Sequence, residues 1–270
     1  MSSPEDNITY CQNCVKNFNK DLYYLCLLAP TDKKERAMAL FALHAELTKV
    51  YTRVSENMLG LIRYQWWHDE IDKCFQSQTN QVTHPILCQL LKYKKSLSKK
   101  VLFDLINSHK SFYQTRCFQN HSELKNYAQS IFTPLFFHSF YKDPQNTLFY
   151  RKAEQILNSW FLSYILMTVP YHAQMSIQFI PQDILDKHSI TIEDFYNQNN
   201  KKIRRQIVKE MVLQSSCNHK STKIWKILDK TSIAHFHVLK KYHYDPYHPA
   251  IISYFDKPWH IWRFFFRHFF

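Results

Sequence analysis

Glycine is almost missing from this chain of 270 residues: Gly60 is the only one. That scarcity excludes a dinucleotide-binding G-x-G-x-x-G turn, a phosphate-cradling P-loop and any architecture built on glycine hairpins. Long apolar runs are also missing. The best stretch, Ile156 to Val169, is interrupted by Asn158 and Ser163, so no segment reads as a membrane-spanning helix. Cys11-x-x-Cys14 is the only close pair among seven cysteines, and no second pair completes a zinc ribbon. The thiols read as reduced and structural, with a metal or redox role as the lesser alternative. Nothing resembles a zinc finger, an aromatic RNA-binding signature or a long basic arm, so nucleic acid is not an expected partner.

What is present is helical. Apolar residues recur three and four apart over long stretches, and strand-like alternation is rare. The pattern predicts an all-α fold with helices at 7–28, 33–53, 56–77, 84–95, 99–116, 121–141, 146–169, 191–198, 201–217, 220–241 and 258–270. Pro30-Thr31-Asp32, Ser55-Glu56-Asn57 and Pro144-Gln145-Asn146 supply starts. No repeat or linker divides the chain. One helical domain over 10–240 and a tail over 241–270 are expected.

Two helices carry clear inward stripes. One runs Ala37, Leu40, Phe41, His44, Leu47, Thr48, Tyr51; the other runs Leu157, Phe161, Tyr164, Ile165, Thr168, His172. Both stripes direct a threonine toward the interior.

The formal net charge of +13 suggests an anionic partner, with a solvated basic face as the commoner reading of such an excess. The tail sharpens this. Drawn as a helix, Trp259, Trp262 and Phe266 share one face while Arg263 and Arg267 lie largely on the other. Aromatic bulk beside basic residues suits an anionic membrane surface; docking on the helical bundle is the competing reading. The N-terminus Met1-Ser2-Ser3-Pro4-Glu5-Asp6 reads as neither a secretory signal nor an Arg-rich presequence. The expected locations are a bacterial cytoplasm, peripheral to the inner membrane, or a mitochondrial matrix and inner membrane.

The stretches Ala39–Thr52 and Trp160–His172, with Phe179–Leu185 following, resemble the paired core helices of the squalene/phytoene synthase family. Leu59-Gly60-Leu61-Ile62-Arg63-Tyr64-Gln65-Trp66-Trp67 is the most specific match. It resembles a branch that reads leucine-glycine-x-isoleucine-arginine-x-glutamine-tryptophan-tryptophan and that includes a mitochondrial complex I assembly factor with a phytoene-synthase-like domain. The resemblance covers roughly residues 10 to 215. It implies a single-domain, isoprenoid-synthase-type helical bundle around a central cavity.

In the family's enzymes, aspartates one turn apart on each core helix hold Mg²⁺ against a prenyl diphosphate. The matching positions here are Thr48, Lys49 and Thr52 on one helix and Thr168 and His172 on the other. Met167 stands where the enzymes keep an arginine, and Tyr164 where they keep an asparagine. These seven residues are expected to line the cavity as a degenerate motif. Magnesium takes hard oxygen ligands, and none of these side chains is a carboxylate.

No catalytic residue, metal site or cofactor is therefore expected, with Mg²⁺ returning only if the chain is an enzyme after all. The resemblance implies a non-catalytic factor in respiratory complex I assembly or a related inner-membrane process. Its partners would be assembly intermediates or other inner-membrane proteins, and Gln65, Trp66, Trp67 and Asp69 would form a partner or cavity surface. The alternatives are a Mg²⁺-dependent head-to-head prenyl transferase and an isoprenoid- or lipid-binding protein.

Overall fold

The computed structural model describes residues 4–54, 56–76, 82–141, 147–215 and 223–256. Among these no strand occurs, and the elements are α-helices with two short 3₁₀ turns at Gln198–Asn200 and Ser253–Asp256. The expected helix over 258–270, and with it the face formed by Trp259, Trp262, Arg263, Phe266 and Arg267, lies outside the described residues.

Where the sequence reading places one helix over 7–28, the structure has two. α1 (Pro4–Phe18) opens on proline with Glu5 and Asp6 in its first turn, favourable at the positive end of a helix dipole. Asn19 then turns extended, and its side chain accepts a hydrogen bond from the Leu22 amide, capping α2 (Lys20–Leu27). α3 (Thr31–Arg53) follows Pro30. From Ala37 to Ala45 every residue of α3 is buried, so this is a core helix apolar nearly all round, wider than the stripe read from spacing.

α4 (Asn57–Phe75) carries the lone glycine. A Cβ at Gly60 would sit 2.2 Å from the Tyr113 ring, so the absence of a side chain lets Tyr113 reach the helix start. There its hydroxyl donates to the Glu56 carbonyl at 3.0 Å. α5 (Pro85–Leu91) is shorter than the expected 84–95, because residues 92–96 wind into turns. α6 (Lys99–Thr115) and α7 (His121–Phe140) match their predicted spans.

α8 (Thr147–Met167) stops at Thr168, and α9 (Val169–Gln174) restarts with Pro170 in its first turn. α10 (Gln182–Lys187) forms between the helices predicted at 146–169 and 191–198. α11 (Ile192–Tyr196) begins with a reciprocal Thr191–Asp194 capping box. α12 (Lys201–Leu213), α13 (Lys223–Lys241) and the short α14 (Pro249–Ile252) complete the α-helices of the described residues.

The chain divides into two compact units. The first comprises residues 1–115 and 130–145; the second comprises 116–129 and 146–270. In the first, α3 packs on α1, α5 and α6, and the core holds Phe41 edge-on to Phe136. Arg36 ties α3 to the end of α7 by donating to the Ser139 carbonyl at 3.3 Å.

In the second, α8 packs along α13, with Trp160 and Trp225 almost fully buried. Each such side chain contributes roughly 1.5–3 kcal/mol of hydrophobic burial. Ser163 and His235 join α8 to α13 at 3.0 Å. The stretch after Lys241 belongs to this unit too. Buried Asp245 receives Lys201, Arg204 and Arg205, and the Tyr247 hydroxyl donates to the Tyr196 carbonyl.

Candidate functional site

On α3, Thr48 is buried and its hydroxyl has no hydrogen-bond partner. One turn on, the Thr52 hydroxyl donates back to the carbonyls of Thr48 and Lys49 at 3.3 and 3.4 Å, as a helical threonine does. The Lys49 ammonium pairs with Glu46 of its own helix. Glu46 also accepts from the Cys14 thiol at 3.5 Å. Glu46 is therefore engaged by a cation and a thiol. Burial, with Glu46 adding to it, pushes Cys14 up to about 11; burial, with Cys14 beside it, pushes Cys11 up to about 12. Thiols so held are poor nucleophiles, which fits a structural role.

One turn before Thr48 lies a feature that the sequence reading missed. His44 Nδ1 and His109 Nε2 are 3.0 Å apart in the interior of the first unit, with Tyr51 stacked on the His109 ring. Burial pushes His44 down to about 3, and burial plus His44 itself hold His109 well below the ordinary imidazole value. His44 stood in the inward stripe, but nothing in the spacing of α6 marks His109 as its partner.

In the second unit, Thr168 sits at the break between α8 and α9. Its hydroxyl donates to the Tyr164 carbonyl at 2.7 Å and lies 3.3 Å from His172 Nε2. His172 is buried, packs against the Phe179 ring at 4.7 Å, and is pushed down by burial to about 3. Met167 is buried, and half-buried Tyr164 stacks on Trp160. The structure thus joins Thr168 and His172 directly, within a neutral setting.

These donors do not fit a magnesium diphosphate. Mg²⁺ takes carboxylate and phosphate oxygens in octahedral geometry. Thr48, Thr52 and Thr168 are neutral, two of the three hydroxyls are directed to backbone carbonyls, His172 is a neutral nitrogen donor and Lys49 is a cation. Among the described residues no group of three or more His, Cys, Asp or Glu is placed to hold a metal ion.

The other expected surface lies on α4. Gln65 is exposed and donates to Asp69 at 2.8 Å. The two tryptophans part company: Trp67 is buried against His84, whereas Trp66 is 43% exposed. Trp66 closes a row with Met58, Leu59 and Ile62, all outward-facing large apolar side chains. Their spacing of three to four residues puts them on one face over some 12 Å of helix. The sequence reading saw the end of this row and missed its beginning, because outward and inward apolar stripes look alike in a sequence.

The squalene/phytoene synthase family model matches residues 15–216, about three quarters of the chain. The chain belongs to the squalene/phytoene synthase family. Two solved structures share the fold. A dehydrosqualene synthase in complex with ligand aligns with a TM-score of 0.67 at 11% identity, covering 98% of both chains. Squalene synthase HpnC from Alicyclobacillus acidocaldarius aligns at 0.65 and 11%, covering 90% of this chain and 97% of that one. The fold is accordingly the all-α isoprenoid-synthase type.

Among family relatives, the Bos taurus and Homo sapiens proteins named NADH dehydrogenase (ubiquinone) complex I, assembly factor 6 are each 26% identical over 212 residues. Those alignments cover 76% of this chain and 62% of the relatives, so the chain spans about three fifths of their length. The Drosophila melanogaster homolog is 29% identical over 132 residues, covering 47% of this chain and 39% of that protein.

Proposed function

We propose that this member of the squalene/phytoene synthase family is non-catalytic and acts in the assembly of respiratory complex I in mitochondria, at or near the inner membrane. The observation that carries the non-catalytic part is chemical. At the positions where the family's enzymes hold Mg²⁺, each of the two units offers neutral hydroxyls, with Lys49 in one and an uncharged imidazole in the other. Such groups leave the charge developing on a departing diphosphate without neutralisation.

The assembly part is supported by the relatives named complex I assembly factor 6. The partner would be a complex I assembly intermediate, received on the outward row Met58, Leu59, Ile62 and Trp66 beside Gln65 and Asp69. Contiguous apolar side chains on one helix face are a common mark of a protein partner. A net charge of +13 favours a position against anionic lipid, and among the described residues no helix is long and apolar enough to cross a membrane.

Two measurements test the reading. Cells lacking the protein should accumulate subcomplexes of complex I on native gels, and fully assembled complex I in such cells would overturn the assembly role. Purified protein given farnesyl or geranylgeranyl diphosphate with Mg²⁺ should release no diphosphate above a metal-free control. Metal-dependent turnover would restore the prenyl transferase reading.

A further inference from the structure

The second unit contains a cavity of about 150 Å³ that neither the family motif nor the α4 surface uses. It lies among the first turns of α7, the middle of α8 and the end of α12. On α8, Asn158 and Leu162 face it. At 100° per residue they sit roughly a third of a turn round from Tyr164 and Thr168. The cavity thus adjoins the inward stripe at Phe161, while Asn158 and Leu162 are turned from Tyr164 and Thr168.

Its walls have two characters. Leu124, Phe161 and Leu162 are buried and form an apolar side. The other side carries the exposed Lys125 and Gln155 with the half-buried His121 and Asn158. No aspartate or glutamate lines it, and Lys125 has no ion-pair partner among the described residues. Burial lowers the pKa of His121, with Asp183 opposing and Lys125 reinforcing.

Two wall residues carry buried polar atoms without a hydrogen-bond partner. Neither the amide nitrogen nor the oxygen of Asn158 is hydrogen-bonded, and His121 Nδ1 is likewise unsatisfied. Leaving a buried polar atom unpaired costs about 1–3 kcal/mol, so a structural role alone accounts poorly for an asparagine here. Its terminal torsion is broad, and rotation about it turns the carboxamide toward whatever fills the space.

We propose that this cavity binds a small carboxylate with a compact apolar body, such as an aromatic or branched-chain acid. The size fits: an apolar cavity of about 150 Å³ admits one benzene ring. The carboxylate pairs with Lys125 and accepts from Asn158, while the ring lies on Leu124, Phe161 and Leu162. An exposed cation and a half-buried amide on one wall, beside buried apolar side chains, supply the charge and the hydrogen bond that a carboxylate takes.

The experiment is a titration of the full chain with benzoate, benzyl alcohol and inorganic phosphate at fixed ionic strength, followed by ligand-observed NMR and calorimetry. Benzoate should saturate. Benzyl alcohol should bind at least roughly fivefold more weakly, having no charge for Lys125. Phosphate should not saturate. Lys125→Met should weaken benzoate by a similar factor and leave benzyl alcohol unchanged. Gln155→Trp, at the exposed rim, should abolish binding of both.

Asn158→Leu separates function from folding. It should lower benzoate affinity while the melting temperature holds or rises, because an unpaired amide has been removed. The proposal fails if benzoate does not saturate or is indifferent to Lys125→Met. It fails equally if phosphate binds as well as benzoate, which would reduce the site to an exposed lysine, or if Asn158→Leu retains full benzoate affinity.

Discussion

His44 and His109 face each other nitrogen to nitrogen at 3.0 Å, each enclosed in the first unit, and both are held uncharged by their burial. A neutral pair satisfies this geometry with one N–H donating and one lone pair accepting. Protonating one ring keeps that hydrogen bond but places an imidazolium in a medium that solvates charge poorly, and only protonating both would set two donors nose to nose.

The consequence is an acid sensitivity above the carboxylate range. The folded-state pKa of each imidazole lies below its unfolded value of about 6.5, so between the two the unfolded chain binds more protons. The stability each contributes is complete above that unfolded value and is lost as pH falls toward the folded one. For a group still neutral in the folded state at pH 5, the loss relative to pH 7.5 is about 2 kcal/mol. Buried His172, also pushed down to about 3, adds to it. Urea unfolding at pH 7.5 and pH 5 should show the drop, and the double variant His44→Phe/His109→Leu should show less of it. An equal drop in that variant would assign the acid sensitivity to other groups.

Gly60→Ala is expected to destabilise the protein by about 1–3 kcal/mol. The added methyl would lie 2.2 Å from the Tyr113 ring, which is anchored by its hydroxyl bonds to the carbonyls of Glu56 and Asn57. In an open helical position the same change would stabilise by up to about 1 kcal/mol, so the sign is diagnostic. Thermal denaturation of Gly60→Ala, alone and with Tyr113→Leu, reads it. The second change should recover part of the loss by removing the obstruction.

How far the sequence led is seen in such residues. The inward stripe on α3 was legible because burial and helical period coincide at Leu40, Phe41, His44, Leu47 and Thr48. The break at Asn19 was not, since Asn within an otherwise periodic stretch differs little from its neighbours until its side chain is seen capping Leu22. The empty metal positions could be read by type alone: a threonine is no carboxylate wherever it points. What those threonines do instead, and the pairing of His44 with a residue sixty-five positions away, required tertiary contacts that no local pattern carries. Trp66 and Trp67 make the same point, as neighbours in sequence with opposite exposure.

Asp245 should be the most sensitive single carboxylate in the second unit. It is buried and takes Lys201, Arg204 and Arg205 from α12, while Arg204 also lies 4.5 Å from the Tyr247 ring centre. Burial alone would raise its pKa, but the hydrogen bond and charge of Lys201, with the Tyr247 amide and Arg204, outweigh it and hold the group below its ordinary value. Asp245→Asn leaves the buried Arg204 guanidinium without its counter-charge, and losing one partner of a buried pair costs about 3–5 kcal/mol. Chemical denaturation should show a loss near the lower end, since Lys201 and Arg205 reach solvent. Arg205→Gln should cost far less, because that side chain is half-buried and Asp245 keeps two cations.

The outward row on α4 yields the prediction that separates a partner surface from a scaffold. Met58 and Ile62 are 69% and 55% exposed, so replacing both with serine removes little buried area. Such surface changes usually move stability by no more than about 0.5 kcal/mol each. If these side chains receive an assembly partner, the same changes strip apolar contacts from the centre of that interface, where a few residues carry most of the binding energy. Met58→Ser/Ile62→Ser should therefore unfold like the wild type, within about 1 kcal/mol, yet fail to restore complex I on native gels when returned to cells lacking the protein. Trp66→Ala should give the same failure with a somewhat larger stability cost, because its ring also touches Trp67 and His84. Full rescue by the double serine variant would place any partner contact elsewhere on the molecule and leave the row a tolerated exposure.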